Sequence, residues 1–226
     1  MNSNLLKLLE LVEKDKIIFQ LLRQCPYEIL RNFQVKEYKD SQFVLNQGEI
    51  YDTFYIVVSG YMDIYVESEH GKKYLLCTYT KGDYIGELEI FQQAGYISRV
   101  EARGDVTVLE LDRSYFVQWI RMDNNFNEYM IRTLCGNTYR MCAEMGHNTL
   151  YTLKQRICQY LISNMGADGR QRFVVSSEIL SQKMAVTQRS INRVLKQLKE
   201  LGIIEMNRGN IMIRDYKGLI REQDQK

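Results

Sequence analysis

Residues 176–213 read SSEILSQKMAVTQRSINRVLKQLKELGIIEMNRGNIMI. Ser176, followed by an acidic residue and by Ile179 and Leu180, predicts a helix with a hydroxyl N-cap. Thr187 predicts the start of a second helix only a few residues later, with an apolar face at helical spacing. That face consists of Ile191, Val194, Leu195 and Leu198. Two helices joined by so short a turn must cross steeply, so the stretch predicts a helix-turn-helix.

The second helix, predicted over about 187–199, directs polar and positive side chains away from its apolar face. They are Gln188, Arg189, Asn192, Arg193 and Lys196. Arginine can hydrogen-bond guanine through two donors, and asparagine or glutamine can do the same with adenine, whereas lysine mainly contacts phosphate. This face therefore predicts base reading in the major groove of double-stranded DNA.

The residues after this helix predict a β-hairpin. Gly202 is typical of a helix C-terminus. The apolar runs 203–206 and 211–213 flank Asn207-Arg208-Gly209-Asn210, which has the composition of a tight turn. A small helical cap with a charged exterior is the plainer interpretation of the region, but helix, tight turn, basic helix and hairpin in this order favour a winged helix-turn-helix.

Charge is divided unevenly along the 226 residues. Residues 1–150 carry 16 Lys and Arg against 21 Asp and Glu, a net charge of −5, whereas residues 151–226 carry 14 against 7, a net charge of +7. A basic module behind an acidic body is typical of a protein that meets a polyanion, although a solvated basic surface has the same composition. No apolar stretch approaches the roughly 20 residues that span a bilayer, so we expect a soluble, cytoplasmic protein without a membrane partner.

Upstream of the winged region the composition and periodicity of the sequence change twice. Leucines between residues 5 and 12 indicate an N-terminal helix, and residues 35–111 hold short Tyr, Val, Ile and Phe runs separated by glycines, which predicts an all-β domain. Residues 114–165 contain no proline and few glycines, so we predict helices with breaks near 123–125 and 147–149. A short strand is predicted at 173–175, after a polar break at 166–169.

The long middle helix has an apolar seam of heptad-like spacing. Its members are Ile131, Leu134, Thr138, Met141 and Met145. Such a seam can pack on the same helix of a second copy, and it can equally cover the β domain of its own chain, because surface helices show the same periodicity.

Several of these segments resemble the Crp/Fnr family of bacterial transcription regulators. Residues 187–195, TQRSINRVL, are similar to the recognition helix of that family, and residues 201–204, LGII, to the entry of its wing. Residues 44–49, VLNQGE, and 54–60, FYIVVSG, are similar to the first strands of its β-roll, and residues 86–88, GEL, fall at its phosphate-binding cassette. The resemblance covers residues 35–215.

The resemblance implies an α+β chain with an N-terminal double-stranded β-helix (a jelly-roll-like β-roll), a long central dimerisation helix and a C-terminal winged helix-turn-helix. We assign 1–112 to the N-terminal helices and β-roll sensor, 113–149 to the linking and dimerisation helices, and 150–226 to the DNA-binding domain. The implied partners are double-stranded DNA with a palindromic operator, a second copy of the chain, and RNA polymerase. By the same resemblance Arg189 and Arg193 contact bases, with Gln188 and Asn192 beside them and Ser176 and Thr187 near phosphates. Ala185 departs from the family, because the turn usually has glycine there.

The cassette departs from relatives that bind cyclic AMP. Those relatives place Arg-Ser before a Val-x-Ala strand, whereas this chain has Ser98-Arg99 directly before Val100. The arginine is displaced by three residues, about 10 Å along an extended strand, and it turns to the other face. The Thr-Ser pair that meets adenine in those relatives aligns with Met141-Cys142. We therefore expect an unidentified small molecule, or no effector, rather than cyclic AMP. The candidate pocket residues are Gly86, Glu87, Leu88, Ser98, Arg99, Met141 and Cys142.

The sequence contains few of the residues that other sensor chemistries or enzymatic functions require. Relatives with an iron–sulfur cluster carry several N-terminal cysteines, whereas Cys25 stands alone there. His70 and His147 are the only histidines, so we expect neither haem nor another metal. Cys135 and Cys142 lie seven residues apart on one helical face, which leaves thiol sensing open beside inert packing. We expect no catalytic residues, because GxSxG, HExxH and P-loop patterns are missing. The alternative function is a ligand-binding signalling module that acts through protein contacts.

Overall fold

The computed structural model describes residues 3–71, 73–164, 172–174, 176–207 and 210–224. The chain divides into two compact units, Met1–Asn137 and Thr138–Lys226, each with its own apolar core. Within the described ranges no helix combines the length and the apolar character needed to cross a bilayer.

The first unit combines helices with one six-stranded antiparallel sheet. Its elements are α1 (Ser3–Lys14), α2 (Lys16–Leu22), α3 (Tyr27–Leu30), β1 (Gln34–Tyr38), β2 (Val44–Leu45), β3 (Thr53–Glu67), β4 (Lys73–Tyr79), β5 (Tyr84–Ile85), α4 (Glu87–Gln92), β6 (Arg99–Asp112) and α5 (Arg113–Met122). The long helix α6 (Asn124–Leu150) begins in this unit and continues into the second. The strands follow the order β1-β6-β3-β4, with β2 also paired to β6 and β5 also paired to β3. The all-β domain predicted over 35–111 therefore contains one additional helix, α4, which the sequence did not indicate.

The long strands β3 and β6 form the spine of this sheet. They pair from Thr53 opposite Asp112 to Tyr65 opposite Arg99, with register shifts around Ser59. Gly60 lies at this irregularity with φ of 88°, and a Cβ there would lie 2.5 Å from the carbonyl oxygen of Asp105. Glycine is required at this bend because it lacks that atom.

Side chains on the two faces of the sheet form two apolar clusters. One lies inside the roll and includes Phe43, Tyr55 and Met62; the other packs the sheet against the helices. In the second cluster the rings of Phe54 and Phe116 stack at 4.0 Å, and those of Trp119 and Phe126 stack at 3.6 Å. The roll is thus filled by its own side chains, and α5 and α6 are fixed to it by stacked aromatic rings.

The predicted helix break near 123–125 is formed by a buried aspartate. The Oδ2 atom of Asp123 accepts from the indole nitrogen of Trp119 at 2.8 Å, and Oδ1 accepts from the backbone nitrogen of Phe126 at 3.0 Å. These bonds end α5 and begin α6. The second break falls later than predicted, because α6 continues to Leu150 and Thr152 caps the next helix through a capping box with Gln155.

The second unit has the predicted order of helices and strands. Its elements after α6 are α7 (Leu153–Ser163), β7 (Arg172–Val174), α8 (Ser177–Met184), α9 (Gln188–Glu200), β8 (Ile204–Asn207), β9 (Asn210–Ile213) and α10 (Tyr216–Asp224). The strands form the sheet β7-β9-β8. The hairpin turn residues Arg208 and Gly209, the polar break at 166–169 and Val175 lie outside the described residues. The helix α10, which packs Leu219 into the core, was not predicted from the sequence.

The turn between α8 and α9 contains a strained alanine. Ala185 has φ of 54° and ψ of 37°, which is left-handed backbone, and its N–H bonds to the carbonyls of Gln182 and Ser181. The hydroxyl of Ser181 donates to the carbonyl oxygen of Val186 at 2.6 Å. The turn therefore holds alanine in a conformation that glycine adopts with less strain.

We predict that Ala185→Gly stabilises the protein by about 0.5–1 kcal/mol, since it removes the left-handed strain and loses little packing. The measurement is the denaturant midpoint of each protein. Ala143→Gly, in the exposed part of α6, is the matched control and should destabilise by about 1 kcal/mol, because glycine is unfavourable inside a helix. A lower stability of Ala185→Gly would contradict the left-handed turn.

Candidate DNA-binding surface and effector cavity

Hydroxyl caps set the start of both helices of the helix-turn-helix. The hydroxyl of Ser176 accepts from the backbone nitrogen of Ile179 at 3.1 Å, and that of Thr187 accepts from the backbone nitrogen of Ser190 at 3.2 Å. Each cap satisfies a helix N–H that would otherwise lack a partner. Both predicted phosphate-contacting residues therefore stand at helix N-termini, where backbone N–H groups favour an anion.

The helix α9 separates its apolar and polar residues completely. Ile191, Val194, Leu195 and Leu198 are buried in the core of the second unit. The side chains predicted to contact DNA are all exposed, namely Gln188, Arg189, Asn192, Arg193 and Lys196. Arg189, Asn192, Arg193 and Lys196 line one shallow groove together with Ser190, so these four side chains share one face. The structure thus brings the predicted base-reading residues together on one accessible polar surface.

The wing beside this surface is the hairpin of β8 and β9. Its register runs from Ile204 opposite Ile213 to Asn207 opposite Asn210. Arg214 and Glu205 form an exposed ion pair across it. Such a pair contributes little stability, so the register depends mainly on the buried Ile204 and Ile213.

Arg156 is a functional candidate that the sequence did not single out. Its Nη1 donates to Oδ1 of Asn148 at 2.7 Å and to the carbonyl oxygen of Met184 at 3.3 Å. Asn148 belongs to the last turn of α6, and Met184 ends α8. Arg156 thus ties the end of the long helix to the helix-turn-helix, a link between distant segments that residue spacing does not reveal.

The cassette residues surround a cavity of about 40 Å³ in the first unit, which we call the effector cavity. Gly86, Glu87, Leu88 and Ser98 line it, as the sequence predicted, and they are joined by residues that it did not predict. Those are Tyr79, Tyr84, Glu89 and Tyr96, with four apolar residues. Ligand pockets for drug-sized molecules measure roughly 300–1,000 Å³, so the effector cavity is far smaller than a cyclic nucleotide requires.

Glu87 is the most buried acidic group at the effector cavity, with 4% of its surface exposed. Burial, with a smaller contribution from the nearby Glu89, raises the pKa of Glu87 to about 8. Beside it, Gly86 has φ of 102°, and a Cβ there would lie 2.7 Å from the carbonyl oxygen of Thr53 and 2.9 Å from the hydroxyl of Tyr96. Burial thus favours the protonated form of the Glu87 carboxyl group near neutral pH.

The remaining candidate pocket residues lie elsewhere. Arg99 is not among the residues lining the effector cavity: its guanidinium donates to Glu101 and to Oδ1 of Asn46, the latter at 2.8 Å. Met141 and Cys142 belong to the second unit and are exposed on α6. The strand shift inferred from the sequence thus leaves Arg99 in an ion-pair network instead of at the cassette.

The residues of the heptad-like seam differ in burial along α6. Leu134 is partly buried against the core of the first unit. Ile131, Met141 and Met145 expose 53%, 62% and 67% of their surface, and Thr138 is also exposed. The second half of α6 thus presents apolar side chains to solvent in the single chain.

The cysteines and acidic residues form no metal centre within the described ranges. No group of three or more His, Cys, Asp or Glu side chains is arranged to hold a metal ion there. Cys135 and Cys142 are both exposed, and Cys25 is partly buried, where burial raises its thiol pKa well above the usual range.

Comparisons with known proteins extend over both units. Residues 35–123 match the cyclic nucleotide-binding domain family, and residues 155–222 match the Crp-like helix-turn-helix domain family. The cAMP-activated global transcriptional regulator CRP of Salmonella typhimurium is 23% identical over 192 residues, covering 81% of this chain and 91% of that protein.

Two solved structures show the same fold. A transcriptional regulator of the crp/fnr family from Eubacterium rectale superposes with a TM-score of 0.71 at 16% identity, covering 91% of this chain and 98% of that one. A CooA mutant from Carboxydothermus hydrogenoformans gives a TM-score of 0.67 at 17% identity, covering 99% and 97%. The α+β class with a β-roll, a long helix and a C-terminal winged helix-turn-helix is thereby confirmed.

The buried Glu87 predicts a pH dependence of stability. Its pKa rises from 4.5 in the unfolded chain to about 8 on folding, so its contribution is complete below pH 4.5 and declines as pH rises towards 8. We expect the free energy of unfolding of the wild type, relative to Glu87→Gln, to fall by a few kcal/mol, roughly, across this window. The measurement is urea denaturation at a series of pH values. Glu69→Gln, exposed on the β3–β4 hairpin, is the control and should keep the wild-type slope. Parallel slopes for wild type and Glu87→Gln would contradict a buried carboxyl.

Proposed function

Because the chain belongs to the Crp/Fnr family of transcription regulators, we propose that it acts as a homodimer that binds a palindromic operator with α9 in the major groove. Family membership makes it a DNA-binding regulator of transcription and not an enzyme. The observation that carries the finer proposal is the exposed polar face of α9 above a fully buried apolar face.

Each side chain on the DNA-binding surface has a chemical role. Arg193 and Arg189 hydrogen-bond guanine, and Asn192 and Gln188 hydrogen-bond adenine. Lys196 and the capping residues at 176 and 187 contact phosphates, which position the helix without reading sequence. The net charge of +7 on residues 151–226 supports this assignment, because neutralising phosphates supplies most of the affinity for any DNA.

Each of the three segments of the chain has its own role in the proposed regulator. Residues 1–112 form the sensor, residues 113–149 link it to the dimer helix, and residues 150–226 bind DNA. Recognising a two-fold symmetric operator requires two copies of α9 related by the same symmetry. The exposed apolar residues of α6 support a homodimer, since pairing this helix with its twin removes them from water.

The effector we propose is a small molecule other than cyclic AMP. The Salmonella relative is described as cAMP-activated, but at 23% identity this does not transfer to the present chain. The size of the effector cavity and the position of Arg99 both argue against a cyclic phosphate. The regulator would act in the cytoplasm through contacts with RNA polymerase.

We predict that Arg193→Ala weakens binding to the preferred operator about 10- to 100-fold while binding to unrelated DNA changes little, because a two-donor contact to a base is lost. The operator is first selected from random duplexes with the wild-type protein, and affinities are then measured by fluorescence anisotropy at fixed salt. Arg221→Ala, which removes the same charge from the exposed surface of α10, is the matched control and should keep operator preference. If the wild type enriches no sequence, its function lies in protein contacts and the proposal is wrong.

We predict that Met145→Glu weakens the homodimer at least about tenfold, because two carboxylates would be placed close to the symmetry axis in an apolar seam. Analytical ultracentrifugation across a concentration series measures the dissociation constant. Met122→Glu, the same substitution at another exposed methionine, should leave the dimer intact. A dimer of unchanged affinity in Met145→Glu would show that the second half of α6 is not the interface.

A further inference from the structure

The effector cavity has the chemistry of a site for a positive charge. It is lined by two carboxylic acids, Glu87 and Glu89, which are 4% and 9% exposed. Tyr79 and Tyr96 also line it, and aromatic rings attract cations with their faces. A bound cation favours the ionised form of these carboxyl groups, whereas an anion disfavours it.

Tyr96 presents an unsatisfied polar group at the effector cavity. Its side chain is 2% exposed, and its hydroxyl has no hydrogen-bond partner among the described residues. A buried hydroxyl without a partner costs free energy, so natural proteins rarely leave one in place. This hydroxyl is therefore available to accept a hydrogen bond from a ligand.

The side chains that line the effector cavity argue against a cyclic phosphate, the ligand class expected from the fold. Among the described residues that line the effector cavity there is no lysine, arginine or histidine. A cyclic phosphate needs such a cation and would instead meet two carboxyl groups. Because Arg99 lies outside the effector cavity, the lining of the cavity favours a cation rather than a phosphate.

The size of the cavity limits what can enter. About 40 Å³ of space accommodates a group of one or a few non-hydrogen atoms. Leu88 and Ile97 line the cavity and remain 47% and 67% exposed, so apolar surface lies at its mouth. The shape suits an ammonium group inside and a short alkyl chain against these two residues.

We propose that the effector cavity binds the ammonium group of a small cationic ligand, either the free ammonium ion or the head of an alkylamine, with Glu87 and Tyr96 as acceptors. The inference concerns the sensor of the proposed regulator, but its test requires no DNA. Failure of operator binding and failure of amine binding are thus separate results.

Binding of a cation involves the proton on Glu87. Burial favours the protonated carboxyl group in the empty cavity, whereas a bound ammonium group stabilises the carboxylate, so binding releases a proton to the buffer. The titratable groups that interact with Glu87 are Glu89 and the phenols of Tyr79, Tyr84 and Tyr96, with Asp83 acting on the phenols of Tyr79 and Tyr84 from the adjoining turn. Affinity should therefore increase from pH 6 to pH 8.

Isothermal titration calorimetry of the full chain tests the proposal with four probes at constant ionic strength: ammonium chloride, n-butylammonium chloride, tetramethylammonium chloride and n-butanol. We expect n-butylammonium or ammonium to bind, and whichever binds identifies the source of the ammonium group. Tetramethylammonium is too large and has no N–H donor, and butanol has no charge, so neither should bind. Binding of all four alike, or of none, would overturn the proposal.

Three variants identify the site. Glu87→Gln should weaken binding about 10- to 100-fold and abolish its pH dependence, because a charge-assisted hydrogen bond is lost. Tyr96→Phe keeps the ring and should weaken binding about 3- to 10-fold through loss of one hydrogen bond. Glu101→Gln removes a carboxylate from β6 outside the cavity and should change affinity less than about twofold. Equal affinity of Glu87→Gln and wild type, with both proteins folded by circular dichroism, would place the amine elsewhere.

Discussion

Burial of one face of α9 is the constraint on which the DNA-binding surface depends. Ile191, Leu195 and Leu198 are at most 1% exposed, so this helix cannot rotate about its axis without exposing apolar surface to water. Since an α-helix has 3.6 residues per turn, fixing these residues also fixes Asn192 and Arg193 on the opposite side. The direction of the side chains proposed to read bases is thus a consequence of packing and needs no interaction of their own.

The sequence predicted this region well because its signals are local. Hydroxyl caps, helical periodicity and Gly202 lie within a few residues of the elements that they specify, and they located α8, α9 and the wing to within about two residues. The helix α10 escaped prediction because its stability is tertiary. Only one strongly apolar residue, Leu219, is fully buried, and the ion pair between Glu222 and Lys154 joins segments 68 residues apart.

The effector cavity was predicted only in part for the same reason. Its Gly86-Glu87-Leu88 segment is contiguous and resembles a known motif, whereas Tyr79, Tyr84 and Tyr96 come from different strands and connections. Tyrosine is common in strands, and the spacing of these three residues in the sequence does not predict that they line one cavity. The displacement of Arg99 was readable, because a shift along an extended strand follows directly from its geometry, and the ion pair with Glu101 shows where the guanidinium is held instead.

The proposed sensor must transmit occupancy of its site to α6, and Tyr84 connects the two. Tyr84 is among the residues that line the effector cavity, while its ring packs beside Phe54 and Phe126 and its hydroxyl donates to the carbonyl oxygen of Met130 at 2.9 Å, in the second turn of α6. The nearby Tyr129 also bonds from α6 to the carbonyl oxygen of Gly82. Because close-packed interiors transmit strain, a ligand that displaces Tyr84 would also disturb its bond to α6. The ligand class proposed for the cassette thus requires no change in these hydrogen bonds between the sheet and α6.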